Sequence, residues 1–172
     1  MRRWAAAIGL TVVAACGPAG EPPQAKPGAE GWHEFQGSWT ASGSRRVIPL
    51  GGERQASVVA LQGSMVLAGP SRPGVGFRVE AIAMGDSATG LTGRAVWTDE
   101  KGDQAFSELR GEGTAAKNRI EGNFVGGTVR YAGAAGAYQF SWQYVLETED
   151  GAVQGRATDL KGRVRFDMGV RP

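Results

Sequence analysis

Apolar and polar residues alternate one by one through most of this chain, in short runs bounded by glycine, proline and aspartate. The clearest run ends the stretch from Gly126 to Leu146. There Tyr138, Phe140, Trp142, Tyr144 and Leu146 fall on one face, and Gln139, Ser141, Gln143 and Val145 on the other. A period of two residues is that of a β-strand with one buried face. The lead-in to this strand holds Gly126, Gly127, Gly133 and Gly136, and reads as a turn, a short crossing and a second turn.

The same period recurs on both sides of this stretch. His33 to Thr40 puts Phe35, Gly37 and Trp39 in phase, and Arg45 to Leu50 forms a second short run. Gln55 to Ala68 aligns Val59, Leu61, Met65 and Leu67, with Gly63 read as a bend. Gly76 to Met84 aligns Phe77, Val79, Ala81 and Ala83; Leu91 to Thr98 aligns Leu91, Gly93, Ala95 and Trp97. A charged tip, Asp99 to Asp103, leads into Gln104 to Thr114, where Ala105, Ser107 and Leu109 alternate with Phe106, Glu108, Arg110 and Glu112. Ala115 to Asn118 reads as a turn before Arg119 to Val125, with Ile120, Gly122 and Phe124 in phase. Asp150-Gly151 is a turn signal, and Ala152 to Met168 aligns Leu160, Val164, Phe166 and Met168.

No window sustains apolar residues at helical spacing, and 28 glycines interrupt any that begins. The pattern predicts an all-β domain of eight to ten antiparallel strands, as a barrel or a sandwich. A single antiparallel barrel of about eight strands is favoured. Both ends of the domain are good strands, and closure removes exposed edges. Eight strands enclose a space that side chains fill or that holds one small ligand.

The N-terminus changes the picture. Arg2 and Arg3 precede an uncharged apolar run, Trp4 to Ala15, too short to span a bilayer as a finished helix. Val13-Ala14-Ala15-Cys16 closes it, so residues 1–15 read as a secretory signal. This segment resembles the lipobox of bacterial lipoproteins. The resemblance implies cleavage before Cys16 and acylation of its sulfur, a palmitate-type attachment, and of its new amino end. Cys16 is the single cysteine, which rules out an intramolecular disulfide and suits an attachment point. The expected partner is therefore a membrane, held through N-terminal acyl chains at the cell envelope. Gly17 stands where an aspartate would favour inner-membrane retention, so the outer membrane, facing the periplasm, is expected in a Gram-negative cell.

Residues 16–31 then form a tether: residues 17–31 hold four of the eight prolines and four glycines, a composition that cannot bury a core. The barrel domain is expected over 32–172. Losing Arg2 and Arg3 leaves 17 basic and 17 acidic residues, so no basic face is implied and a nucleic-acid partner is not expected.

Within the central stretch, Gly126-Gly-Thr-Val-Arg-Tyr-Ala-Gly-Ala-Ala-Gly-Ala-Tyr138 resembles a motif of the allene oxide cyclase and dirigent group of β-barrels. The resemblance implies an eight-stranded antiparallel, calycin-like barrel with an apolar interior. Val129 departs from the second glycine that usually follows the threonine. No catalytic residue of that group finds a matching position, so none is carried over.

Candidate chemistry is sparse. Trp97, Tyr138, Phe140, Trp142 and Tyr144 either fill a core or line a ligand cavity. Phe106, Glu108 and Arg110 share one strand face. That face is either a solvated wall, with Arg94 and Arg156 as cross-strand partners, or a barrel mouth that binds a polar group or does acid-base work. His33, the single histidine, reads as a surface residue without a second soft ligand, and no metal or cofactor is expected. Asp99, Glu100 and Asp103 read as a charged turn rather than a calcium loop. The expected role is non-catalytic: binding a small apolar or amphipathic molecule, or serving as an envelope interaction module. The enzymatic alternative is a barrel cyclase or isomerase acting on a hydrophobic substrate, with Glu108 and Arg110 as its polar groups.

Overall fold

The computed structural model describes residues 31–112 and 118–166. Cys16, the signal, most of the tether, most of the turn expected at 115–118 and the end of the last run lie outside those residues. Eight strands follow one another around a closed barrel: β1 (Trp32–Gly51), β2 (Arg54–Ala68), β3 (Gly76–Asp86), β4 (Gly90–Thr98), β5 (Gln104–Gly111), β6 (Asn118–Gly127), β7 (Ala135–Glu147) and β8 (Ala152–Arg165). Every neighbouring pair is antiparallel, and β1 closes the ring against β8. The barrel anticipated from the alternation is thus present, without an α-helix among the described residues.

The alternation works because each inward residue meets another across the barrel. Phe35 and Trp39 of β1, Met65 and Leu67 of β2, Phe77 and Val79 of β3 and Trp97 of β4 are buried in one cluster with Phe124, Tyr138, Phe140 and Trp142. The two short runs expected before residue 51 are one strand. Gly43 and Ser44, which separate them, keep their pairing with Leu61 and Ala60 on one side and with Val153 and Ala152 on the other. Gly63 is not a bend: register runs unbroken through it on both sides. The glycine is needed there because a Cβ would collide with the backbone at Thr40 and Ala41.

Three strands change phase: β6 at Val125, the extra residue against Phe106 and Ser107 of β5, and then β8 and β7. In β8 the buried set is Val153, Gly155 and Ala157, then Leu160 and Val164. Three residues of β8 oppose two on β1 and two on β7 there, a bulge at Thr158 and Asp159, with Asp159 at φ +56°. In β7 the inward set ends at the rim, because Val145 is the extra residue of another bulge. Leu146 therefore leaves the face it was expected to share with Tyr138 and is exposed.

The two ends of the barrel differ. One is plugged. Between β6 and β7 a 3-10 turn, Val129–Tyr131, lays the Tyr131 ring over Phe77 and Phe166, at 6.0 and 5.3 Å between centroids. His33 packs on Phe166 and its Nδ1 lies 2.8 Å from the Ser71 carbonyl. Trp32 opens β1 at this end. The other end is ringed by the hairpins β1–β2, β3–β4 and β7–β8.

Candidate functional site

Beneath the hairpin end lies an apolar cavity of about 30 Å³, walled by Trp39, Val59, Leu61, Phe140, Trp142 and Tyr144 among others. Roughly 10–15 Å³ accommodates one water, and pockets for small molecules run to hundreds of Å³. The aromatic residues therefore fill the barrel rather than line a binding chamber. Trp97 is buried against Phe35, Phe77, Phe124 and Tyr138, with centroid distances of 4.8–5.9 Å. Trp39 and Trp142 lie 5.0 Å apart at the floor of the cavity. Their indole N–H groups, like that of Trp97, are buried and make no hydrogen bond among the described residues.

Tyr144 forms the rim. The Arg45 guanidinium stands 5.5 Å above its ring and pairs with Glu147 at 2.7 Å. Burial raises the Tyr144 hydroxyl pKa, and the charge of Arg45 acts against that.

Polar chemistry inside the barrel reduces to one pair. Ser107 is the buried polar residue among the described ones, and its Oγ lies 2.7 Å from the Tyr138 hydroxyl. Burial pushes Tyr138 up to about 12, with the contacts to Ser107 and Trp97 pulling the other way. At neutral pH both groups are uncharged hydroxyls that satisfy each other.

The face of β5 runs opposite to the barrel-mouth reading. Ala105, Ser107 and Leu109 point inward, while Phe106, Glu108 and Arg110 lie on the outer wall. The reason is volume and charge together. Trp97 pairs with Ala105 and Tyr138 meets Ser107, so only small residues fit at these two positions. Turning Glu108 and Arg110 inward would bury two charges without water. Glu108 instead sits opposite Arg94 and pairs with it at 3.0 Å. Arg156, also weighed as a partner, donates to Gln143.

The charged tip between β4 and β5 is a latch. Asp99 Oδ1 accepts from the backbone N–H groups of Lys101 and Asp103, and Oδ2 accepts from Arg130 and the Tyr131 hydroxyl at 3.2 and 3.1 Å. Burial pushes its pKa up, but these donors outweigh it and hold the carboxyl below its ordinary value. The hairpin tip thereby holds the 3-10 turn in the barrel end. Both oxygens are engaged by donors, the role of a structural turn.

On the outer wall of β1, β2 and β3 the alternation fails. Ile48 lies opposite Ala56, Val58 opposite Met84 and Ala60 opposite Ile82, three apolar rows side by side. Ile48, Val58, Met84 and Ile82 are 48–64% exposed. Arg46, Arg94 and the bidentate Arg54–Asp86 pair border them. Each strand read alone shows single outward apolar residues, and only the register brings them together.

Compared with family models, curated proteins and solved structures, the chain matches none.

Proposed function

We propose that this chain is a lipid-anchored envelope protein whose barrel is a non-catalytic interaction module. Acylated Cys16 would hold it in the membrane, the outer membrane facing the periplasm in a Gram-negative cell. The apolar wall of β1–β3 would receive a protein partner. One observation carries the reading: the interior is filled, while four large apolar side chains stand exposed in adjoining rows with a polar border. Contiguous exposed apolar surface of this kind marks contact sites, whereas scattered residues do not.

A second reading, binding of a small apolar or amphipathic molecule, draws support from the cavity under Tyr144 and the open N–H groups of Trp39 and Trp142. A ligand would have to displace the rim formed by Arg45, Tyr144 and Glu147. The likeness to allene oxide cyclases and dirigent proteins suggests a cyclase or isomerase. Such chemistry would have Ser107 and Tyr138 as its interior polar groups, with Glu108 and Arg110 on the outside.

The test is a photo-crosslinking amino acid at Ile82 in the acylated chain, in its own host. Under the interaction reading one adduct of defined mass forms, and Met84→Lys removes it without lowering the melting temperature. No adduct at Ile82, together with a small molecule retained in native mass spectrometry, would transfer the function to the cavity.

A further inference from the structure

The plugged end of the barrel carries three features that its role as a plug does not require. Val129 is the most exposed large apolar residue among the described residues, at 74%, and it holds φ +44°, a backbone region costly for a β-branched side chain. Val75, on the loop before β3, is 55% exposed. Arg130 bridges the two loops by donating to the Pro73 carbonyl at 2.9 Å, which draws them together across the barrel end. Beside them Trp32 lies under two guanidinium groups, Arg163 at 4.7 Å and Arg165 at 5.3 Å.

We infer that this end of the barrel docks on the surface of an anionic phospholipid bilayer. Val75 and Val129 would enter the headgroup region, and Trp32, Arg163 and Arg165 would settle among the phosphates. Tryptophan and arginine favour that interface, where an amphipathic ring and a cation both find partners.

Two facts choose a membrane as the occupant. The first is reach, and it rests on the acyl-anchor reading. Residues 17–31 end at this face, and a chain of that length and composition spans roughly 20 Å. The wall is taller: β3 alone has eleven residues, about 35 Å along the strand and roughly 27 Å once tilted. The plugged end meets the bilayer before the hairpin end does.

The second is charge. Among the described residues at the plugged end, Arg72, Lys101, Arg130, Arg163 and Arg165 face Glu34, Asp99, Glu100 and Asp103. At the hairpin end, Glu53, Asp86, Glu112, Glu121, Glu147, Glu149 and Asp150 face Arg45, Arg46, Arg54, Arg110 and Arg119, a small acidic excess among the described residues. An anionic surface repels the second rim and accepts the first. Docking in this orientation turns the hairpin end away from the lipid and leaves the apolar wall of β1–β3 open at the side.

The experiment uses the mature chain from residue 16 with Cys16→Ser, so that no acyl chain contributes. Vesicles of phosphatidylethanolamine and phosphatidylglycerol are compared with pure phosphatidylcholine, and brominated lipids report depth. Trp39, Trp97 and Trp142 are buried, so quenching reports Trp32. Binding to the anionic vesicles with quenching is expected. Arg163→Gln with Arg165→Gln should weaken it about 25-fold, at roughly fivefold per cation.

Val129→Asn separates docking from folding. Asparagine tolerates the left-handed region, so this variant should melt no lower than the parent yet bind several-fold more weakly. Absence of binding, or equal binding by all variants, overturns the inference. The acylated chain tests the anchor separately. Attachment with Trp32 unquenched overturns docking and leaves the anchor standing. A native chain without acyl mass, whose Cys16→Ser form still binds with quenching, supports docking and removes the anchor.

Discussion

Removing the Tyr138 hydroxyl, as in Tyr138→Phe, tests the interior directly. The ring and its contacts with Trp97, Phe124 and Phe140 remain. Ser107 Oγ keeps one weak contact, the Ala95 carbonyl at 3.5 Å. A buried polar group left without its partner costs about 1–3 kcal/mol. For a domain of this size that lowers the melting temperature by roughly 3–5 °C per kcal/mol. Ser107→Ala should cost a similar amount, because it strands the tyrosine hydroxyl. The double variant should cost clearly less than the two single changes together, since no unpaired group remains and the coupling of touching residues runs to about 0.5–3 kcal/mol. Urea unfolding at pH 8 measures all four chains.

The same variant has a signature in base. Folding raises the Tyr138 pKa from an ordinary value of 10.0 to about 12. The unfolded chain therefore loses this proton first. The stabilisation is whole below pH 10 and is lost as pH rises towards 12. A shift of that size corresponds to roughly 2–3 kcal/mol. The parent should lose that much more stability than Tyr138→Phe between these limits, with Tyr131 and Tyr144 common to both chains. Additive single-variant costs, or equal alkaline slopes, would falsify the assignment of Ser107 and Tyr138 as one closed pair.

Three further outcomes follow from the geometry. Gly122→Ala would place a Cβ inside the Tyr138 ring, and overpacking of this kind costs about 1–3 kcal/mol; a melting curve unchanged by the substitution would contradict the inward setting of Tyr138. Asp99→Asn should cost about 1–3 kcal/mol by weakening the charge-assisted bonds to Arg130 and Tyr131. Because Asp99 has a lowered pKa, its contribution is present above the ordinary carboxylate range and fades as pH falls below it, a slope that thermal unfolding of the variant should lack. Glu108→Ala and Arg110→Ala should each change stability by less than about 0.5 kcal/mol, as exposed wall positions do; a loss of several kcal/mol would return them to the interior.

The strands were legible in the sequence because a half-buried strand writes its face directly into alternate residues. Phe77, Val79, Ala81 and Ala83 on β3, and Leu91, Ala95 and Trp97 on β4, lie inward as their spacing predicts. The phase changes were not legible. Asp159 gives no local sign that it will adopt φ +56°, and Val145 looks like any outward residue of an alternating run. The face of β5 was ambiguous for a different reason. Phe106 and Leu109 weigh against each other, and what decides is the size of Trp97 on the neighbouring strand β4 and of Tyr138 on β7. That is a property of the packed interior and of no single strand.

Much the same holds for the surfaces proposed as contact sites. Ile48, Val58, Ile82 and Met84 come from three strands and become neighbours through register. Asp99 and Arg130, 31 residues apart, meet only when the loop after β6 folds across the barrel end. The Ser107–Tyr138 pair likewise spans 31 residues. Sequence spacing names residues that can act within one strand. A closed barrel makes its contacts across strands, so its interior chemistry and its apolar wall appear only with the register. This also explains why a chain with so clear a fold declares so little chemistry. Strand order and parity use up the alternation, and with the interior filled, the contacts proposed above fall on the outer wall and the two unlike ends.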